Sequence, residues 1–381
     1  MSKTVHLLPT QTVLIGAGAV AELGPLLQRR GLRRALLVTS RSLAETTDLP
    51  DRLTASLAPV SIVERQFARA HAPRADVEAI YDTLVASKAD TIIGLGGGSV
   101  SDVIKAVLAQ VLDEAARPAP YYAAIATTLS GSEFAHYFGV TEDQGSQTYK
   151  ASFVRPEVTA GAVILDPAIA RFTPEALWLS SGIKALDHAI EGLIGSLGTP
   201  VLETMLQRGI RRLAEHIERS RDVNDSHARE QCLIGAWECY FAPASMILGL
   251  SHRIGHMLGG TFAVPHGYTS CITLPEVTRR AAPFRPEALA LAARALRTDR
   301  PLDLSAKATT HPDEAGALLA ALVSRLGLPG RLKDVGVNAT ALSVIAAEVA
   351  THHPHVLAAV GIDGHAQDAA SRLEQMMQPM L

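Results

Sequence analysis

Two segments carry side chains whose types and spacing could do chemistry. "SSGIKALDHAIEGLIG" (180–195) sets Lys184, Asp187 and His188 among apolar residues. Helical spacing puts Lys184 and His188 one turn apart on the same face. "GLSHRIGHMLGGTFAVPHGYTS" (249–270) carries His252 and His256 at that same spacing, then His266 after a Gly-Gly turn and Pro265. Three histidines so close in an otherwise apolar stretch have the pattern of a metal-binding or acid–base site. The face of Lys184 and His188 departs from that pattern. A metal site would want a carboxylate where this chain has an ammonium, which cannot coordinate a cation and repels one within a few ångströms. Asp187 stands about 100° round the helix from His188 and is not expected to take over as a ligand. The competing structural reading is a surface ion pair between Lys184 and Asp187 at i,i+3.

A different chemistry is written at "TIIGLGGGSVSDVIKAV", where a buried strand runs into consecutive glycines and then a helix. Glycines let backbone N–H groups approach a phosphate, and the helix N-terminus adds a favourable dipole. The run is neither GxGxxG nor GxxxxGK[ST], since Ser99 stands where a third glycine would be. "ATTLSGSE" (126–133) is a second small, hydroxyl-rich loop after a strand, and two such loops in one lobe suggest a dinucleotide crevice.

The elements that must hold these residues divide the chain. Up to about residue 168, short apolar runs alternate with helical patterns, which predicts a parallel sheet covered on both faces. From about Phe172 onward, helix-length segments follow one another without strands between them. The "FTP" segment offers Thr173 as an N-cap before Pro174. The expected architecture is therefore an α/β nucleotide-binding domain over 1–168 and an all-helical domain over 169–381, with the active site in the cleft between them.

Composition narrows the partners. A net charge of −3 over 381 residues, with no basic stripe, argues against nucleic acid and anionic lipid. No run reaches the length of a membrane span, and the N-terminus lacks a signal-peptide pattern. Three cysteines without a CxxC fit buried thiols in a reducing cytoplasm. The reading is a cytoplasmic protein acting on a small-molecule substrate.

"GLGGGSVSDVIKA", "TTLSGSE", "ILDP", "GIKALDHAIEG" and "GHMLGGTFAVPHG" occur in an order that resembles the iron-containing (group III) alcohol dehydrogenases. "GVTED" and "LIGAWEC" point to the maleylacetate reductase branch. The resemblance implies a Rossmann-like domain followed by a helical one, a fold related to dehydroquinate synthase, and a homodimer. It implies that Gly96, Gly97, Gly98 and Ser99 hold the pyrophosphate of NADPH or NADH, with Asp102 in the same cofactor set. Thr127 and Thr128 would line the adenosine side, and Lys150 would approach the cofactor. His188, His252 and His266 fall on the family's metal-binding histidines, and His256 falls on a histidine beside the nicotinamide. The family's fourth ligand, an Asp, is Lys184 here. The expected centre is accordingly metal-free, with Lys184, His188, His252, His256 and His266 as its catalytic set. Ser40 stands where many NAD-preferring relatives have Asp; it removes a repulsion toward a 2′-phosphate, and Arg41 could pair with one. The function expected is metal-independent, NAD(P)H-dependent reduction of a small carbonyl or enone. A metal-dependent alcohol dehydrogenase, a non-redox lyase or cyclase using Lys184, and a non-catalytic homologue remain open alternatives.

Overall fold

The computed structural model describes residues 5–115, 117–144, 147–195, 199–304 and 311–381; of 143, 144 and 147–150 it describes only the backbone. The chain forms two compact units, one of His6–Pro174 with Asp222–Ile234, the other chiefly Glu175–Arg221 with Gly235–Leu381. Chain order alone would leave Asp222–Ile234 in the helical half. That segment instead joins the sheet unit, where the buried Arg229 guanidinium donates to the Ala170 carbonyl (2.9 Å).

Six parallel strands make the sheet: β1 (Thr12–Ile15), β2 (Arg34–Ser40), β3 (Ser61–Ala68), β4 (Thr91–Gly96), β5 (Tyr121–Ala126) and β8 (Ala162–Leu165). Their order is β1-β8-β5-β4-β2-β3. Period-two alternation fixes both faces. Leu37, Ile93, Leu95, Ile125 and Ile164 point one way, onto Leu23, Leu27, Leu49 and Leu53. On the other face, Gly94 lets the helix Gly98–Glu114 come close: a Cβ there would lie 2.7 Å from Ile104 Cδ1. After β2 the chain steps to one edge for β3, then works the opposite way through β4, β5 and β8. The order therefore reverses between β2 and β4, and parallel sheets bind ligands outside the carboxyl ends of strands at such a point.

An antiparallel hairpin of β6 (Tyr137–Gln144) and β7 (Gln147–Val154) was not expected from the sequence. Phe138 and Phe153 stack across it, with ring centroids 5.3 Å apart.

The helical unit is built round the helix Glu175–Gly195, which packs against Pro200–His216, Leu250–Phe262, His266–Ala281 and Pro286–Leu296. From Trp178 to Leu193 every residue is buried except Lys184. Small residues make this surround possible. Beside Ser180 comes Gly267, where a Cβ would lie 2.3 Å from the Ser180 hydroxyl. The expected Thr173 cap does not form. The helix begins at Glu175, and the Thr173 hydroxyl, within the sheet unit, donates to the Thr127 carbonyl (2.6 Å). Among the described residues, no single helix is long and apolar enough to cross a membrane.

Candidate active site

The two predicted nucleotide loops lie side by side at the carboxyl ends of β4 and β5. Gly96 pairs with Ala126, and the Thr127 N–H donates to the Gly96 carbonyl (3.0 Å). Gly97 is where a side chain could not be tolerated: its Cβ would come within 2.7 Å of Thr128 Cγ2 and 2.8 Å of Oγ1. Gly97 is also the N-cap of Gly98–Glu114, and no side chain caps that helix. First-turn N–H groups are thereby left for an anion. Ser99 lies inside the first turn, where its hydroxyl accepts the His71 N–H (3.2 Å). Asp102, one turn further, accepts a 3.4 Å bond from the Ser132 hydroxyl of the second loop. Ser40 ends β2 and caps the next helix, accepting the Leu43 N–H (3.3 Å). Lys150 pairs by backbone with Thr141 in the hairpin, and its side chain lies outside the described residues.

Behind these loops lie two buried titratable side chains, Lys105 and Glu133, to which the sequence assigned no role. Lys105 is fully buried and donates to the carbonyls of Ser132 (2.5 Å) and Tyr137 (3.0 Å). Burial lowers its pKa to about 8, opposed by the charges of Asp102 and Glu133. Burial likewise raises Glu133 to about 7 against its own backbone hydrogen bond and Lys105.

In the helical unit, the side chains gather round Asp187. Its Oδ2 accepts the Ser270 hydroxyl (2.6 Å), lies 3.3 Å from the Lys184 ammonium, and lies 3.3 Å from His252 Nδ1. That nitrogen also meets Glu191 Oε2 at 2.5 Å. With carboxylates as its only partners, Nδ1 carries the hydrogen. Glu191 does a second job, accepting the Gly249 N–H (2.7 Å) and Ser251 N–H (2.6 Å) at the start of Leu250–Phe262. His188 stacks between Tyr240 (4.1 Å, 9°) and His252 (4.9 Å, 26°). His256 and His266 form a second pair, with ring centroids 6.2 Å apart.

The Lys184–Asp187 pair therefore exists, but it is no surface pair. Asp187 is wholly buried, and 15% of the Lys184 side chain is exposed. Asp187 is central where the sequence reading set it aside, because His252 arrives from another helix on the side Asp187 faces. Glu191 was missed as well, although two carboxylates one turn apart in an apolar helix demand partners.

Electrostatics follow from this packing. Burial pushes the Asp187 carboxyl up, but His252 and then Lys184 outweigh it and hold the pKa well below the usual range. Burial lowers His252, yet Asp187 and Glu191 raise it on balance. Burial, then the charges of His252 and Lys184, hold His188 well below the usual imidazole range, so it stands neutral. Desolvation by the atoms packed round it and then the charge of Lys184 lower His256 too, although the residue reaches solvent. Asp187 Oδ1, His188 Nδ1 and His252 Nε2 are buried without a hydrogen-bond partner. Polar atoms left so cost stability, which marks the cluster as made to receive a polar ligand.

A parallel sheet carrying a glycine cradle, joined in one chain to a helical unit with a buried His–carboxylate–Lys cluster, defines a nucleotide-dependent oxidoreductase class. Residues 9–167 match the iron-containing alcohol dehydrogenase family and residues 178–359 match its C-terminal region. The chain belongs to that family of NAD(P)-dependent oxidoreductases, as a maleylacetate reductase-like member. Similar proteins include the maleylacetate reductase of Pseudomonas sp. (strain P51), 33% identical over 77% of this chain and 79% of that one. The maleylacetate reductase of Sphingobium indicum is 32% identical over 87% and 88%. Among solved structures, maleylacetate reductase from Agrobacterium tumefaciens matches with a TM-score of 0.83 and 26% identity, covering 100% of this chain and 99% of that one.

The family name implies a metal, and one group of donors is close enough to consider. Asp187, Glu191 and His252 present ligand atoms within 4.8 Å of one another. As arranged, these atoms form a hydrogen-bonded cluster, and an ion held by them would need Glu191 and His252 to part, while Asp187 Oδ1 and His252 Nε2 stay without a hydrogen-bond partner. The 2.5 Å between Glu191 Oε2 and His252 Nδ1 is shorter than the roughly 3.3 Å that two ligands span across a tetrahedral ion with bonds near 2.0–2.1 Å. Both Glu191 oxygens already accept N–H groups, and the Lys184 ammonium occupies the flank of Asp187.

Proposed function

We propose that the protein is a metal-independent, NAD(P)H-dependent reductase of a small carbonyl or enone, with an oxo-dicarboxylate such as maleylacetate as the substrate class. The observation that carries this reading is Lys184, the one residue between Trp178 and Leu193 that is not buried, held 3.3 Å from Asp187 beside His188 and His252. Held at the glycine cradle, NAD(P)H would supply a hydride to the substrate carbon, leaving negative charge on the substrate oxygen as alkoxide or enolate. The preorganised Lys184 ammonium stabilises that charge without the reorganisation water would need. One proton would then complete the reduced product. Neutral His256 is suited to relay that proton, because its lowered pKa keeps the imidazole unprotonated between transfers. The glycine cradle and the Thr127–Thr128 loop hold the nucleotide, with Gly97 keeping the two in contact.

NADPH is accepted under this reading. Arg41 is exposed, tied only by a 3.7 Å pair to an equally exposed Glu45 and lying over the Phe67 ring. Such a pair contributes little and leaves the guanidinium available to a 2′-phosphate. Arg41→Ala should weaken NADPH more than NADH.

The closeness of Asp187, Glu191 and His252 favours one second reading, a metal-dependent dehydrogenase. Metal analysis of the purified protein with an NADPH-oxidation assay, with and without chelator, separates the two. Stoichiometric zinc or iron, with activity lost on chelation and restored by the ion, would overturn metal independence. Lys184→Asp should raise metal affinity while lowering metal-free turnover.

A further inference from the structure

Arg253 lies between His252 and His256 on the helix Leu250–Phe262. The sequence reading gave it no role, and it stands apart from its neighbours. Arg208 and Arg212 share Glu238, Arg279 and Arg280 share Glu276, and Arg325 pairs with Glu218. Arg253 is partly buried, and among the described residues its side chain has neither carboxylate nor carbonyl partner. Its Nε is fully buried and unbonded. Guanidinium groups carry five donors in a planar fork and are rarely buried unpaired. Its charge acts on His256, three residues on, and on His353, from the turn after the helix Thr340–His352. Neither is an acid, and both are pushed toward the neutral form. Lys184 also acts on His256, and Glu348, the acid acting on His353, pairs with His352 and not with Arg253.

We propose that Arg253 is a specificity-determining residue, a fork that receives a carboxylate of the substrate remote from the reacting carbon. Arginine and carboxylate match in geometry and can form two parallel charged hydrogen bonds. One carboxylate so fixed orients the reacting end, while Lys184 meets the oxygen on which charge develops. This inference rests on the reductase reading for its substrate, but the site itself is a carboxylate receptor whatever the reaction. The other anion that could occupy it is a phosphate of the nucleotide.

The test compares kcat/KM for maleylacetate and for its methyl ester, with NADPH, in the native protein, Arg253→Met and Arg253→Lys. Loss of a bidentate charged contact should reduce the acid-to-ester ratio in Arg253→Met by about 30- to 100-fold, mostly through KM. Arg253→Lys should recover part of the ratio, since charge returns without the fork. Arg331→Met, an exposed substitution in the same unit, should leave it unchanged. Succinate, a redox-inert dicarboxylate, gives a readout independent of turnover: its binding, measured by calorimetry, should be lost in Arg253→Met. A ratio within threefold of native, or a loss seen in NADPH affinity in place of the ratio, overturns the assignment. If the native protein reduces neither compound, the reductase reading fails; succinate binding that depends on Arg253 still upholds the receptor, and binding that does not refutes it.

Discussion

Replacing Glu191 by Gln tests whether the buried cluster is held as described. Three donors converge on that carboxylate: the N–H groups of Gly249 and Ser251 and the His252 ring. A glutamine keeps one acceptor and turns the other into an NH2 group, which must face at least one N–H. Hydrogen bonds to a charged group contribute about 1.5–3 kcal/mol each. Breaking a buried pair by removing one partner costs about 3–5 kcal/mol, because the other charge stays uncompensated. Since one oxygen is retained, the expected loss is about 3–5 kcal/mol, a large part of the 5–15 kcal/mol typical of a folded domain. The protein offers a selective assay, because its two tryptophans, Trp178 and Trp237, both lie in the helical unit. Their fluorescence in a urea titration follows that unit alone, and the midpoint should fall with little change in slope. Turnover should fall too, because His252 loses the partner that orients it. A destabilisation under about 1 kcal/mol would refute the claim that Glu191 bears the cap and the imidazole together.

Gly97→Ala should weaken NAD(P)H binding strongly, because the new Cβ would drive Thr128 away from the cradle; unchanged affinity in a folded variant, measured by fluorescence titration, removes the loop from the site. His256→Ala should lower kcat by about 100-fold or more with little loss of cofactor affinity, and full turnover would return His256 to a packing role. Glu133→Gln should alter how stability depends on pH. Burial holds the native carboxyl near 7, above the 4.5 of an ordinary glutamate, so the folded state binds more protons in that window and native stability falls as pH rises through it. The loss is on the order of 3 kcal/mol at most and is absent in the variant. Parallel stability curves for the two proteins between pH 4.5 and 8 would show that Glu133 is not the titrating group.

What the sequence made legible was local. The glycine run after β4 announced its own geometry, since a strand, three glycines and a helix start admit few backbone paths. The two segments likewise announced their one-turn pairs, Lys184 with His188 and His252 with His256. Long-range partners were harder to read. Asp187 and Glu191 became central only because Gly249–His252, some sixty residues later, ends up against them, and no periodicity within 180–195 encodes that approach. The hairpin β6–β7 was missed for a related reason. Its strands pair with each other outside the parallel sheet, so the rule that strands alternate with helices said nothing about them. Lys105 and Glu133 sat in quoted motifs, yet a lysine off the apolar stripe of a helix and a glutamate in a polar loop are ordinarily solvated, and only burial distinguishes these two.

The helix Glu175–Gly195 has a consequence for how such a centre can change over generations of substitution. From Trp178 to Leu193, a replacement anywhere but position 184 must be accommodated by packed neighbours on every side. Lys184 alone opens on solvent, so its exchange is limited less by packing than by the buried Asp187 carboxylate 3.3 Å away. On the reductase reading, variation at this helix is thereby channelled into reactivity more than into fold. A library randomised at position 184 should yield mostly folded proteins that differ in what they catalyse, whereas the same library at Ala185 or Ala189 should yield mostly proteins that do not accumulate.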